Sequence, residues 1–285
     1  MMRFWKLLRG EQWHKNLLVL SPLCFVEWFL LPGLWHYFAA FFGFCFVSSM
    51  TYILNDWMDR EEDRLHPTKK DRPLASGAVT GKEAIMVSAI LAVMVGSVMI
   101  YLGGFYASVV GTYFVLTNLY SLGLKHVPLL DVFMIVFNFV LRMSAGMLSL
   151  SILLDSWRFV MLLFGVMLVF MSHKRGSDVK ILGREKAVKH KPVLKYYTLP
   201  VVYGMRAIGF VLTGWILFNL ADGVWNLSAI LTFILLGVTS WIFARDPLKV
   251  MKPVLLFKNG VWVVLLIALI LGLTVPDFPP RMPPL

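Results

Sequence analysis

The chain has 285 residues, of which 59% are hydrophobic and 15% are charged, and its mean hydropathy is +0.75. Soluble domains carry about 25% charged residues, so this composition excludes an ordinary soluble enzyme and indicates an integral membrane protein. The net charge of +11 requires no nucleic-acid partner, because topology-setting basic loops in contact with anionic lipid account for it.

Long apolar runs follow one another through the chain and predict an all-α bundle of about nine transmembrane helices. We expect the bundle to form a single domain over residues 1–285. A helix needs about 20 apolar residues to cross a membrane. The predicted spans lie near 16–31, 34–54, 84–102, 105–123, 128–150, 157–173, 197–220, 226–243 and 255–275. The pair Gly103-Gly104 separates the third span from the fourth.

The basic residues indicate the orientation of these spans. A cytosolic N-terminus makes five segments cytosolic, and together they hold 23 of the 27 Lys and Arg residues. Those segments are 1–15, 55–83, 124–127, 174–196 and 244–258. Because basic loops are retained in the cytosol, we expect the two long ones, 55–83 and 174–196, to carry the functional groups on that side.

A cluster of acidic residues follows the second span. If the helix continues past Leu54, Asp56, Asp59 and Asp63 fall within about 60° of arc on one face. Three carboxylates on one face repel one another unless a cation lies between them, and Mg²⁺ prefers oxygen ligands. The sequence therefore predicts a magnesium site here, with the polar side chains of Asn55 and Tyr52 beside it.

Basic residues come directly after the acids. His66, Lys69 and Arg72 are placed to bind further oxygens of a polyphosphate whose other part is held by the metal. A second interpretation stays open: a solvated loop whose acids pair with the neighbouring Lys and Arg residues.

Further polar residues are predicted on the same side of the membrane. Lys125 precedes the fifth span, in which Asp131, Asn138, Arg142 and Ser149 share one helix face. A polar loop after the sixth span supplies Lys174, Arg175 and Asp178 near the membrane surface, whereas the lysines from 186 to 195 are expected to be solvated or to face lipid.

Five segments in this order resemble the UbiA superfamily of intramembrane prenyltransferases, and more closely its polyprenyl-phosphate phosphoribosyltransferase branch. The segments are RGEQWHKNLLVLSPL (9–23), YILNDWMDREEDRLHPTKKDRPLASG (52–77), YSLGLKHVPLLDVF (120–133), VLRMSAG (140–146) and SWRF…HKRGSD (156–178). The motif HKRGSDVK departs from the second Asp-rich motif of the aromatic prenyltransferases. With one acid and two adjacent cations, it favours a phosphate-rich second substrate.

The resemblance implies an Mg²⁺-dependent transfer of 5-phosphoribose from phosphoribosyl pyrophosphate to a polyprenyl phosphate in the plasma membrane. The metal ligands would be Asp56, Asp59 and Asp63, with Lys125 and Asp131 as further catalytic residues. The substrate-binding residues would be Lys15, Asn16, Tyr52, Asn55, His66, Lys69, Arg72, Tyr120, Arg142, Lys174, Arg175 and Asp178.

Two other functions stay open at this point. One is prenyl transfer from a polyprenyl diphosphate to an aromatic acceptor, and the other is a non-enzymatic transporter or lipid-binding protein. The sequence also leaves open the length of the polyprenyl chain, the number of metal ions, and whether the protein is a homo-oligomer.

Overall fold

The computed structural model describes residues 2–24, 34–65, 69–148, 157–220, 227–245 and 266–267, and these residues contain helices and no strand. The α-helices are α1 (Met2–Leu7), α2 (Leu34–Met58), α3 (Arg60–Leu65), α4 (Gly81–Leu102), α5 (Gly104–Leu122), α6 (Leu130–Leu148), α7 (Trp157–Leu182), α8 (Arg184–His190), α9 (Leu199–Leu220) and α10 (Leu227–Arg245). Three segments are 3₁₀-helical: Gly10–Cys24, Leu124–His126 and Pro192–Tyr196.

Within the described residues, four helices are long and apolar enough to cross a membrane. They cover Leu34–Met58, Gly81–Leu102, Leu130–Met147 and Leu199–Asn219, and Ala229–Arg245 is a shorter apolar helix. The predicted ninth span, 255–275, lies outside the described residues apart from 266–267. The total of nine spans and the cytosolic N-terminus therefore stay predictions.

Two glycines allow α7 and α9 to pack closely in the largest apolar core. A Cβ atom on Gly209 would lie 2.8 Å from the carbonyl oxygen of Gly165, and one on Gly165 would lie 3.1 Å from the carbonyl oxygen of Gly209. Small residues at such contacts let helix backbones approach in a membrane, where packing rather than hydrophobicity drives association. The close approach fixes α7, which carries several of the predicted site residues.

The prediction that residues 174–196 form a polar loop is wrong, because most of this segment is helical. Helix α7 continues to Leu182, and after Gly183 the chain forms α8 and the 3₁₀ helix Pro192–Tyr196. Charged residues such as Lys and Arg are good helix formers, so a dense run of them does not end a helix. The break comes at Gly183, whose φ of 74° is readily adopted only by glycine.

Candidate active site

The first polar cluster lies at the end of α2 and in α3. The prediction that the helix continues past Leu54 is confirmed, since α2 ends at Met58. The backbone N–H of Asp63 donates to the carbonyl of Asp59 at 2.8 Å, so helical hydrogen bonding carries over the break between the two helices. Asp56 and Asp63, two turns apart, are both 2% exposed and point toward the same partner.

That partner is Arg72. Its Nη1 atom donates to Asp56 Oδ1 at 3.1 Å and to Asp63 Oδ2 at 2.6 Å. Arg9 donates to the same Asp56 oxygen at 2.5 Å, and Lys69 Nζ lies 3.8 Å from Asp63 Oδ1. The two buried carboxylates are thus neutralised by cations from two distant parts of the chain, which offsets the large cost of burying them alone.

Asp59 is less buried than Asp56 and Asp63 and has a different partner. Its Oδ2 atom accepts a hydrogen bond from Asn55 Nδ2 at 3.2 Å. In the described part of the chain, no three acidic, His or Cys side chains come close enough together to hold a metal ion. The donor set nevertheless fits Mg²⁺ in kind, because it offers carboxylate oxygens and a guanidinium now bridges two of them.

Arg9 was not predicted as a site residue, because the sequence identified it only as part of the basic N-terminal segment. Its φ of 48° is in the left-handed region, and its guanidinium lies 4.8 Å from the centre of the Tyr52 ring. The Arg9 side chain thus joins the N-terminal segment to the first cluster. The signal available in the sequence was its place at the start of the segment RGEQWHKN. His66 lies outside the described residues.

The second polar cluster is centred on Asp131, which is fully buried in the first turn of α6. Arg175 Nη2 donates to Asp131 Oδ2 at 2.6 Å, and the Tyr197 hydroxyl donates to Asp131 Oδ1. Lys191 Nζ lies 3.7 Å from Asp131 Oδ2. The cluster therefore joins the start of α6 and the C-terminal part of α7 to the segment before α9.

Other predicted residues lie beside this second cluster. Asp178 accepts a hydrogen bond from Arg175 at 3.4 Å, and Tyr120 lies close enough to the same guanidinium for the two groups to act on each other. Lys125 is half-buried in the 3₁₀ helix Leu124–His126, which packs against Pro192–Tyr196. Lys174 is half-buried on α7, adjacent to Arg175.

Lys191 corrects the expectation that the lysines from 186 to 195 are solvated or face lipid. Its side chain is 28% exposed and is drawn toward Asp131 by the ion pair. Burial and the neighbouring charge of Arg175 together lower the pKa of Lys191 to about 8, while Asp131 opposes the shift. The ammonium group is therefore mostly protonated at neutral pH and loses its proton as the pH rises through about 8. The sequence did not single out Lys191, which is one of several lysines in a basic run, or Tyr197, which lies in no acidic or basic motif.

The N-terminal 3₁₀ helix Gly10–Cys24 connects the two clusters. Arg9, immediately before it, contacts Asp56, and Lys15 lies close enough to Lys174 for the two charges to act on each other. Six residues of 3₁₀ helix rise about 12 Å. The two clusters are therefore neighbours at one end of the helical bundle.

Arg142 and Asn16 are both buried and share a hydrogen-bond network. Arg142 Nε donates to Asn16 Oδ1 at 2.9 Å, Nη2 to the Tyr113 hydroxyl at 2.9 Å, and Nη1 to the carbonyl of Asn138 at 2.6 Å. Asn16 Nδ2 donates to Ser48 Oγ at 3.2 Å. Both side chains thus have hydrogen-bond partners within the protein, so we expect Arg142 and Asn16 to join helices rather than to contact substrate.

Residues 18–248 match the profile of the UbiA prenyltransferase family. Decaprenyl-phosphate phosphoribosyltransferase of Mycolicibacterium smegmatis is 32% identical over 250 residues, which cover 85% of this chain and 70% of that protein. The protein of the same name from Corynebacterium glutamicum is 35% identical over 220 residues, 73% of this chain and 64% of that one.

A UbiA homologue from Archaeoglobus fulgidus, solved with GPP and Mg²⁺, has the same fold, with a TM-score of 0.70 at 18% identity. The match covers 96% of this chain and 99% of the homologue. The resemblance that the sequence motifs indicated is thus confirmed by the profile match and by the fold. The chain belongs to the UbiA prenyltransferase family.

Proposed function

We propose that this chain transfers 5-phosphoribose from phosphoribosyl pyrophosphate to a polyprenyl phosphate and releases pyrophosphate. The observation that carries the proposal is the different content of carboxylates and cations in two neighbouring clusters. The first contains three aspartates, which suit a metal-bound diphosphate. In the second, Arg175, Lys174 and Lys191 outnumber the acids, which suits a phosphate acceptor. The names of the relatives from M. smegmatis and C. glutamicum support the same reaction.

The donor would bind at the first cluster. Asp56, Asp59 and Asp63 would hold Mg²⁺, which when bound supplies positive charge to neutralise the departing pyrophosphate. Arg72 would exchange its two carboxylate partners for phosphate oxygens, and Lys69 stands beside it at 3.8 Å from Asp63. Arg9, Asn55, Tyr52 and His66 are proposed to complete the donor site.

The acceptor phosphate would bind at the second cluster. Lys15, Lys125, Lys174 and Arg175 are proposed to hold it, with Asp178 and Tyr120 orienting the Arg175 guanidinium. Asp131 is proposed to act as a positioning residue, since its carboxylate fixes both Arg175 and Lys191. Cations held in this way bind phosphate without reorganising as the reaction proceeds.

The reaction breaks the bond between ribose C1 and a pyrophosphate oxygen, which leaves with the bonding electrons. As this bond lengthens, C1 gains positive character, and an oxygen of the acceptor phosphate forms the new bond to C1. The acceptor is already an anion, so no strong general base is needed. The cations of the first cluster favour the transition state, because negative charge grows on the leaving group.

The bundle would allow a lipid acceptor and a water-soluble donor to meet. We place the two clusters on the cytosolic side of the plasma membrane, where the donor is available. The product would be a polyprenyl-phosphoryl phosphoribose, a lipid-linked pentose for envelope polysaccharide. Prenyl transfer is the second candidate, and the GPP bound by the A. fulgidus homologue favours it. The cations Lys174 and Arg175 count against a second acidic, metal-binding site.

One assay separates the two reactions. Purified protein in detergent is given Mg²⁺, phosphoribosyl pyrophosphate labelled in the ribose, and polyprenyl phosphate, and the label in the organic extract is counted. We expect lipid-extractable label that disappears with EDTA and in the Asp56→Ala variant. No label above the EDTA control would refute the proposal. Transfer from a prenyl diphosphate to an aromatic acid under the same conditions would establish the second candidate instead.

A further inference from the structure

A separate cavity of about 490 Å³ lies on the other side of α7, bounded also by α9, α10 and the start of α8. At 100° per residue, His173, Ser177 and Lys180 fall within about 60° of one another on α7. Arg175 points roughly the opposite way, toward Asp131. The cavity is therefore distinct from the second polar cluster, although the ring of Tyr197 lines it.

Three cations line this cavity, and none of its lining residues in the described part of the chain is an Asp or Glu. Lys180, Arg184 and Arg206 all contribute to its wall. Through the described part of the chain, none of the three lies within ion-pair distance of an Asp or Glu. Arg184 instead donates to the carbonyl of Lys195 at 3.3 Å. An anion is the partner that this arrangement lacks.

Arg206 makes the argument stronger, because it lies within an apolar helix that can span the membrane. It is seven residues into α9, about 10 Å along the helix. Its contacts are neutral: its Nε atom is 3.5 Å from Ser172 Oγ, and its guanidinium is 5.3 Å from the centre of the Tyr203 ring. An ionised residue in a span is costly and marks a binding site or a paired charge.

The remaining wall indicates what kind of anion fits. Val179, Leu199, Val202 and Phe243 give the cavity an apolar side next to its cations. A free phosphate would gain nothing from that side, whereas a lipid places its head group on the cations and its glycerol and first methylenes on the apolar wall. Basic pockets between membrane helices on the cytosolic side recognise anionic head groups in this way.

We propose that this cavity binds the phosphate head group of an anionic membrane lipid through Lys180, Arg184 and Arg206. The site does not depend on phosphoribosyl transfer and would be present whichever transfer the first two clusters catalyse. Tyr197 lines the cavity and also donates to Asp131, so a bound lipid would hold this tyrosine in place.

The test measures lipid retained by the full-length protein in native mass spectrometry. Protein in detergent is mixed with phosphatidylglycerol, with phosphatidylcholine of the same acyl chains, or with inorganic phosphate. Collisional activation in the mass spectrometer then removes the detergent. We expect phosphatidylglycerol to be retained in preference to phosphatidylcholine. Removing one cation is expected to weaken retention about fivefold, the usual effect of a single Lys or Arg on binding to an anionic lipid surface.

One variant combines Lys180→Gln with Arg184→Gln. Both side chains are exposed, so their loss leaves the core intact. The second variant is Arg206→Gln. Lys82→Gln, an exposed lysine at the start of α4, is the matched control and should retain phosphatidylglycerol as the wild type does. Equal retention of the two lipids, or an unchanged double variant, would overturn the proposal. Retention of inorganic phosphate without preference for the lipid would also overturn it.

Discussion

Arg72 is the residue whose removal tests the first cluster most directly. It bridges Asp56 and Asp63, which are each 2% exposed, while its own side chain is 25% exposed. Removing one partner of a buried ion pair costs about 3–5 kcal/mol, since the remaining charge is left without compensation. Because Arg72 is partly exposed, we expect Arg72→Ala to lower the free energy of unfolding by about 3 kcal/mol in the absence of Mg²⁺.

Added Mg²⁺ should restore most of this loss. In the variant the carboxylates of Asp56 and Asp63 are open to a divalent cation, whereas in the wild type the cation must first displace Arg72. A ligand at 100 times its dissociation constant stabilises the folded state by about 2.7 kcal/mol. Mg²⁺ should therefore raise the melting temperature of the variant more than that of the wild type.

Thermal unfolding in detergent, with EDTA or with Mg²⁺, measures both effects without any turnover. For a chain of this length a loss of ~3 kcal/mol lowers Tm by roughly 5–10 °C. Arg60→Gln is the control, because Arg60 pairs with Glu61 on the surface and such pairs contribute about 0–1 kcal/mol. If Mg²⁺ raised Tm equally in wild type and Arg72→Ala, the two aspartates would not be metal ligands.

Three further predictions concern the second cluster and the packing of the bundle. If Lys191 helps to hold the acceptor, the KM for polyprenyl phosphate should rise as the pH increases through about 8, since the ammonium form is lost above its pKa. Burial also lowers the pKa of Lys174 to about 8, so Lys191→Arg should reduce this rise rather than remove it. A pH profile that is the same in Lys191→Arg as in the wild type would exclude the role. Gly209→Ala should cost about 1–3 kcal/mol in unfolding experiments because its Cβ meets backbone of α7, while Gly204→Ala, with open space around it, should cost little. Arg142→Met should lower stability by about 1–3 kcal/mol by leaving Asn16 and other buried polar groups unpaired, and a raised KM without loss of stability would instead place Arg142 in a substrate site.

The helix ends that the sequence predicted well are those with a local physical cause. Gly103 separates α4 from α5, which begins at Gly104, and the apolar run before Leu54 continues as one helix. The prediction of a loop at 174–196 fails because a high density of charged residues does not require a solvated loop. A helix can present charged residues on one face and still pack on another, and in α7 Arg175 is 2% exposed while Lys180 is exposed.

The candidate site was predictable where its geometry is local and not where it is set by tertiary contacts. Helical spacing placed Asp56 and Asp63 on one face, and proximity in sequence placed Arg72 near them. Arg9 and Asp56 are 47 residues apart, and Tyr197 and Asp131 are 66 apart. The helical periodicity of a sequence does not predict such pairings, because they depend on how the helices pack. A sequence therefore shows which acids need a cation, but not which distant cation supplies it.

The pairing of Arg72 with two aspartates has a consequence for the order of binding. Mg²⁺ alone would have to displace a guanidinium that then lacks a partner, and a diphosphate alone would have to approach buried carboxylates. If both bind, Asp56 and Asp63 would hold the metal and the diphosphate would give Arg72 and Arg9 new oxygen partners. Each ligand thus removes a cost that the other would meet, so each should raise the affinity for the other by the same factor. Titration of Mg²⁺ with and without pyrophosphate measures that factor, and a factor of one would mean that Arg72 does not exchange its partners.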